Sequence, residues 1–525
     1  MIQKTTNVIA SIFIFLLVFT LLPSYQQIQA AEKPNIVVIM TDDLDVTSMS
    51  VLLAQGWMPN VQQHIISKGT TFQSSFVNNS LCCPSRATFL TGQYTHNHNT
   101  YGTGIEDQGV SRFNDTSTLA TWLQSDGYST SLIGKYINGY ALTDLTGDGV
   151  LDINDAQYIP PGWDDWQGLI EPYVYRMYYY AINENGTITS YGNATEDYQT
   201  DVLAQKAAQF IENEHTANPD KPLFLYLAPT APHTELWPNT PFHTYTDVWK
   251  LNIQPPQRYN GSVTVPLPIK ASYNEADLSD KPAWLQAWPL MTSTDNYYHQ
   301  YIYRNRLAAT RAIDDMVGTV VAALSASSDL DNTVFVFTSD NGFMLGEHRL
   351  SQKGYAFEEA IRVPLYIAAP GYPQNKVAQN QLVVNTDLAP TLLDLAEVTP
   401  GHTVDGTSLT YLLANNTIPW RKRFLIEHKL GGGTIFDVPT YNGVRTSHDA
   451  TYVPNQVYIE YEDAANSREF YDLPTDPFQM NSLHAATSSG RTTQRSIHKS
   501  YLDYLKTCVG SSCQIGEFHN PTVNP

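Results

Sequence analysis

Up to Ala369 the chain alternates apolar, β-rich runs with stretches of helical pattern, and this alternation limits the fold more than any other feature. The runs are "NIVVIM" (35–40), "YSTSLIG" (128–134), "PLFLYLA" (222–228), "TVFVFTS" (333–339) and "VPLYIAA" (363–369). Helical periodicity or helix stop signals mark "TSTLATWLQSDG", "YQTDVLAQKAAQFIENE", "YRNRLAATRAIDDMVGTVVAALSAS" and "TDLAPTLLDLAEV". Strands apolar on both faces need helices on both sides of their sheet, so the predicted class is α/β: a large mixed, mainly parallel sheet sandwiched by helices. After about residue 420 the texture changes to short β pieces, "RFLIEH", "QVYIEYE" and "REFYDL", and a last helix, "TTQRSIHKSYLDYLK". The expected division is a leader over 1–31, the α/β domain over 32–420, and a smaller α+β unit with an antiparallel sheet over 421–525.

The leader sets the compartment. Lys4 precedes "VIASIFIFLLVFTLL", and small residues allow cleavage after Ala30 or Ala31, the pattern of a secretory signal peptide. A retained anchor is the alternative, because the apolar run approaches the length of a membrane span. Nothing later in the sequence resembles a transmembrane helix, so an extracytoplasmic protein without stable membrane insertion is expected. Loss of the leader removes one lysine and no carboxylate, which moves the formal net charge from −21 to about −22. Nucleic acid is excluded as a partner, and any anion site has to be built locally from cations and metal. Of four cysteines, Cys508 and Cys513 in "TCVGSSC" read as a small disulfide loop in an exported protein. Cys82 and Cys83 in "LCCPSRATFLTG" are then free, since bridging adjacent cysteines is strained. Six sequons (Asn78, Asn114, Asn185, Asn193, Asn260, Asn415) would suit glycosylation.

Four predicted strands end in residues too polar for a core: Asp42 and Asp43, Lys135, His233, and Asp340 and Asn341. In an open α/β sheet the carboxyl ends of the strands bind ligands, so these residues should meet at one edge. Three carboxylates and an amide oxygen suit a hard cation, Ca²⁺ in preference to Mg²⁺, over zinc. Pro84 has the φ favoured at the first position of a helix, which would place Cys82 and Cys83 at its amino-terminal mouth, where anions are favoured. Arg86 opposes the helix dipole there and is better explained as a partner for a metal-bound anion. A second feature, "DLTGDGVLDIND", sets Asp144, Thr146, Asp148, Gly149, Asp152 and Asp155 at EF-hand-like spacing, suggesting a second, structural Ca²⁺; an acidic surface turn is the alternative. Trp163, Trp166 and Tyr178 to Tyr180 could stack on a sugar or fill the core.

"CCPSRATFLTG" resembles the sulfatase signature C-x-P-S-R followed by Thr-Gly, and "TDD", "GKY", "APH" and "SDNG…GEH…K" follow in the family's order. The resemblance covers nearly the whole mature chain. It implies an alkaline-phosphatase-like fold and a sulfuric ester hydrolase in which Cys82, not Cys83, becomes Cα-formylglycine and joins Asp42, Asp43, Asp340 and Asn341 around the metal. It further implies Arg86 and Lys135 on the anion, His233 as general acid with Lys353 as a possible aid, and a formylglycine-generating enzyme as a partner in maturation. Where many sulfatases carry His two positions after the first lysine, this chain has Ile137, with Asn138 next. That pattern, and the segment 173–211, resemble the glucosamine-6-sulfatase branch, so 6-O-sulfated N-acetylglucosamine in sulfated carbohydrate is the expected substrate. His348 in "LGEHRL" is a further site candidate, with Asn138 and Trp163 as substrate contacts. A broad arylsulfatase and a phosphate or phosphonate ester hydrolase of the same superfamily are the enzyme alternatives, and a carbohydrate-binding pseudo-enzyme is the non-catalytic one.

Overall fold

The computed structural model describes residues 33–103, 109–146, 151–235, 251–429, 438–450 and 452–519. The expected leader lies outside these residues, as do Asp148 and Gly149 of the acidic loop. One sheet contains ten strands: β1 (Asn35–Thr41), β2 (Thr70–Phe72), β3 (Ser129–Gly134), β4 (Asp165–Leu169), β5 (Ala181–Glu184), β6 (Thr187–Ser190), β7 (Leu223–Ala228), β8 (Thr333–Ser339), β9 (Leu365–Ala368) and β10 (Lys376–Ala378). Their order is β10-β2-β9-β8-β1-β7-β3-β4-β5-β6. The centre, β8-β1-β7-β3-β4, is parallel throughout. Toward the edges β9 and β5 run antiparallel to their neighbours. All five apolar runs are therefore strands, and the sheet is mixed as expected.

Side chains alternate across β1 and sort the helices into two layers. Val37 and Ile39, with Leu225, Leu227, Phe335 and Phe337, pack against α3 (Gln199–Ala217) and α4 (Ser293–Ala326). Ile36, Val38 and Met40, with Phe224 and Val336, pack against α1 (Cys82–Thr91), α2 (Leu119–Ser125) and α5 (Leu388–Ala396). The helix α4 begins ten residues before the expected Tyr303. Thr292 caps it, taking the N–H of Asp295 while the Asp295 carboxylate takes the N–H of Thr292, so the polar stretch 293–302 is helical without an apolar pattern.

The C-terminal part forms a separate antiparallel sheet, β11 (Arg423–His428), β12 (Tyr441–Thr446), β13 (Gln456–Tyr461) and β14 (Arg468–Asp472), in that order. One face carries Leu425, Val444, Tyr458 and Phe470 against α6 (Ser489–Leu505). The other carries Phe424, Ile426, Val457 and Ile459 against Leu350, Tyr355, Phe357 and Ile361. Cys508 and Cys513 are bridged as expected, and Cys82 and Cys83 are free and buried. The sequon at Asn78 is not available for glycosylation in the folded chain, because Asn78 is fully buried and its amide donates to Thr95 Oγ1 and Glu427 Oε1. Among the described residues no helix is long and apolar enough to cross a membrane.

Candidate active site

Strand register brings the polar strand ends together. Thr41 of β1 is paired with Ser339 of β8, so Asp42-Asp43 and Asp340-Asn341 leave the sheet side by side. Two bonds tie the exits: Asp340 N donates to Thr41 O at 3.1 Å, and Asp43 N donates to Asp340 Oδ1 at 3.1 Å. On the other flank of β1, Gly134 of β3 is paired with Ala228 of β7. Gly134 has φ +118°, and a Cβ there would lie 2.2 Å from the Ala228 carbonyl oxygen, so only glycine can deliver Lys135 from this turn. His233 follows five residues after β7.

The side chains converge in a buried cage. Lys135 Nζ donates to Asp42 Oδ2 at 2.6 Å. Lys353 Nζ bonds Asp43 Oδ1 and lies 3.5 Å from Asp42 Oδ1. Asn341 Nδ2 donates to Asp43 Oδ1 at 2.6 Å, and His233 Nε2 is 3.6 Å from Asp43 Oδ2. Arg86 Nε donates to Asp340 Oδ2 at 2.8 Å and Nη1 to the Lys135 carbonyl at 3.1 Å. The Cys82 thiol donates to Asn138 Oδ1 at 3.3 Å, and Asn138 Nδ2 donates to the Tyr175 hydroxyl at 2.6 Å. Metal-ligand atoms of Asp42, Cys82 and Asp340 lie within 4.8 Å of one another, as do those of Asp42, Asp43 and His233.

Three carboxylates therefore face three permanent cations. Burial alone would raise the Asp42 and Asp43 carboxyls, but Lys135 and Lys353 beside Asp42, and Lys353 and His233 beside Asp43, hold both below the usual carboxylate range. Asp340 goes the other way: burial and the adjacent Asp42 charge push it up to about 6, against the pull of Arg86. Burial lowers His233 to about 4, with Asp43 opposing and Lys353 reinforcing the shift. His233 Nδ1 donates to the Thr234 carbonyl at 2.6 Å; a carbonyl can only accept, so in the neutral ring Nε2 is the free acceptor facing the cage.

The donor set fits a divalent cation. Asp42 Oδ1 and Asn341 Oδ1 are buried without a hydrogen-bond partner, a costly state for a polar oxygen unless a cation takes it. Arg86 Nη2 is likewise buried and unpartnered, 3.7 Å from Asp42 Oδ2, and so can take an anion's oxygen. The helix α1 starts at Cys82 itself, with Leu81 as N-cap. Pro84 is thus the third helical residue, not the first. Its missing N–H still falls in the turn where those groups have no partner, and Cys82 opens the helix as expected.

Two contributors have no clear sequence signal. The Tyr175 ring stacks on His233 at 4.1 Å and lies under Lys135 Nζ at 4.7 Å, yet it sits in a Tyr-rich run that resembles core. Arg306, on α4, donates to the Pro232 carbonyl at 2.9 Å and to the Asp43 carbonyl, buttressing both exits from behind. Other expectations need correction. Trp163 and Trp166 are core residues; Trp163 stacks on Phe224 and Tyr226, with no ring face left for a sugar. Tyr180 is also buried, stacked on Tyr191. His348 stands apart from the cage, fully buried with Nδ1 on Glu275 Oε2 and its ring on Phe357. In the loop 144–155, Asp155 Oδ1 accepts from the N–H groups of Leu145 and Thr146, and Oδ2 from that of Asp152. These bonds hold the described part of the loop and leave the second-calcium expectation as it stood, since Asp148 and Gly149 lie outside the described residues.

The chain as a whole has counterparts among known proteins. A family described as Sulfatase matches residues 34–398, and one described as N-sulphoglucosamine sulphohydrolase, C-terminal, matches residues 346–506. The chain is 30% identical over 515 residues to an arylsulfatase of Volvox carteri, covering 92% of this chain and 76% of that protein. It is 29% identical over 528 residues to the N-acetylglucosamine-6-sulfatase of Capra hircus, covering 94% and 87%. A solved structure described as a complex with its substrate D-glucosamine-2-N,6-O-disulfate superposes with TM-score 0.69 at 22% identity, covering 92% of this chain and 98% of that one. The phosphonate monoester hydrolase of Agrobacterium radiobacter shares the fold at TM-score 0.67 and 20% identity, over 90% and 95%. A family match across most of the chain, joined to a buried oxygen cage at the carboxyl edge of the sheet, shows that the chain belongs to the sulfatase family of sulfuric ester hydrolases.

Proposed function

We propose that the protein is secreted and hydrolyses sulfate esters of carbohydrate, with 6-O-sulfated N-acetylglucosamine as the preferred unit. In this reading Cys82 is converted to Cα-formylglycine by a formylglycine-generating enzyme, and one Ca²⁺ is held by Asp42, Asp43, Asp340, Asn341 and residue 82. The observation that carries it is the pair of orphaned oxygens, Asp42 Oδ1 and Asn341 Oδ1, in the same buried cage as Cys82 and the open Nη2 of Arg86. The sugar assignment is supported by similarity to N-acetylglucosamine-6-sulfatases and by Asn138, which bonds residue 82 where other sulfatases present histidine.

Once formed, the hydrated aldehyde supplies an oxygen nucleophile and a second hydroxyl whose deprotonation releases sulfate, and the divalent ion supplies charge neutralisation on the transferring group. The chain's own groups do the rest. Asp340, a fully buried neighbour of residue 82, can accept the proton of the attacking hydroxyl. Arg86, Lys135 and Lys353 bind the sulfate oxygens and stabilise the charge that develops there. His233 points Nε2 into the cage; an anion beside it favours protonation, and it then gives that proton to the leaving sugar oxygen as the oxygen–sulfur bond breaks. Asn138, fixed by Tyr175, holds the oxygen on residue 82 in line.

Mass spectrometry of the peptide spanning residues 70–95 tests the nucleophile: unmodified Cys82 in active protein would sink it. Sulfate release from N-acetylglucosamine 6-sulfate, compared with 4-nitrophenyl sulfate and 4-nitrophenyl phosphate, separates the sugar reading from broad arylsulfatase and phosphatase activity. Dialysis against a chelator should abolish turnover, and Ca²⁺ should restore it better than Mg²⁺. The loop 144–155 carries a second, structural Ca²⁺ in this reading; bound calcium per chain should then approach two, and a ratio of one removes that site.

A further inference from the structure

A cavity of about 350 Å³, outside the cage, is lined by Tyr178, Tyr179, Asn193, Gln254, Gln257 and Asn260. Among the described residues that line it, none carries a carboxylate, ammonium or guanidinium group. The cation closest in sequence, Arg258, is engaged elsewhere: Nη1 and Nη2 bond both oxygens of Asp201 at 2.6 and 2.7 Å, and Nε bonds Asp315 at 2.8 Å. Such lining offers no cation to pair with sulfate or a uronic acid. What it offers is two aromatic faces and a set of amides, the pairing that suits a neutral polyhydroxylated ring.

The wall is also prearranged. Tyr179 has φ 56°, a conformation that bulky side chains avoid, and the residue is 51% exposed instead of packed. Its N–H is held by the Gly192 carbonyl at 2.9 Å. Tyr178 is braced edge-on by buried Tyr198 at 5.5 Å. Opposite, Thr195 Oγ1 donates to Gln257 Oε1 at 3.3 Å, while the side-chain amides of Asn193, Gln254 and Asn260 have no protein partner among the described residues.

Position relates this cavity to the chemistry. Tyr175 stacks on His233, and Tyr179 is four residues further on, so their Cα atoms are at most about 14 Å apart. His233 is the group that protonates the leaving sugar oxygen, so the sugar carrying that oxygen, and the chain beyond it, lie on this flank. We propose that the cavity is a subsite for an uncharged, hydroxyl- and acetamido-bearing pyranose next to the sugar that loses its sulfate. The assignment rests on the carbohydrate reading of the substrate.

The test uses tri-N-acetylchitotriose, an unsulfated probe, titrated into the full-length protein. The wild type should bind it, and Tyr179→Ala and Gln254→Ala should each weaken binding by about tenfold. With 6-O-sulfated chitotriose as substrate, the same variants should raise KM about tenfold with kcat unchanged, and leave turnover of 4-nitrophenyl sulfate unaltered. Absence of binding by the wild type, or equal binding by both variants, overturns the proposal. A glycan found by intact mass on Asn193 or Asn260 would fill the cavity with the protein's own sugar and also overturns it. If chitotriose binding depends on Tyr179 but no sulfate ester is hydrolysed, the subsite stands and the substrate reading fails.

Discussion

Asp42 is fully buried, salt-bridged to Lys135 through one oxygen, and without a hydrogen-bond partner at the other. Such a residue is a poor stabiliser and a good ligand, because the oxygen without a hydrogen bond, 3.5 Å from Lys353 Nζ, is the one that a metal cation needs. The same logic ranks its neighbours. Replacing Arg86 by Met leaves Asp340 buried without its cation, and urea unfolding should report a loss of about 3–5 kcal/mol. Asn138→Ala removes two neutral polar bonds, the one from residue 82 and the one to Tyr175; the fold should survive while kcat falls about 10- to 100-fold in a sulfate-release assay, with formylglycine content unchanged. At this scale the cage residues were legible because four strands in one sheet all end in polar residues, where any single one could be a helix cap or a solvated loop. Tyr175 was not, since a tyrosine in an aromatic run is equally good core until the fold sets its ring on an imidazole.

Among elements, the turn from β3 to Lys135 is the most exposed to a single change. Gly134→Ala adds a Cβ against the Ala228 carbonyl at a φ that L residues avoid. It should cost about 2 kcal/mol or more, and shift Lys135 enough to lower activity beyond the stability loss. Thr292→Ala removes the cap of α4, and denaturation should register about 0.5–2 kcal/mol with kcat unaffected. Most long elements could be anticipated from periodicity. The strand β12 could not: it contains Asn442-Gly443, which reads as a hairpin turn. Here Gly443 lies mid-strand, opposite Ile426 and Ile459, because pairing on both sides outweighs a local turn preference.

The molecule as a whole responds to acid through buried histidines. Burial lowers His98, His428 and His498 to about 3, 4 and 3, from 6.5. The unfolded chain takes up these protons near pH 6.5 and the folded chain does not, so their contribution is complete above that pH and is lost as pH falls toward 4 and 3. His96 has the opposite sign: despite burial, Glu427 raises it to about 9, so its contribution is complete below 6.5 and is lost as pH rises through 9. The urea midpoint should therefore drop between pH 7.5 and 5, with a shallower drop in His498→Gln; equal midpoints would contradict this. Sequence alone was enough for the α/β class, the disulfide and the meeting of Asp42, Asp43, Lys135, His233, Asp340 and Asn341 at one edge of the sheet, because hydrophobic period and residue chemistry at strand ends are local properties. It could not place Trp163, His348, Tyr175 or Arg306. Whether an aromatic ring packs in a core or faces a ligand, and which charge a buried histidine meets, depends on contacts between residues tens to hundreds of positions apart. Those contacts exist only once the sheet has closed under its helices.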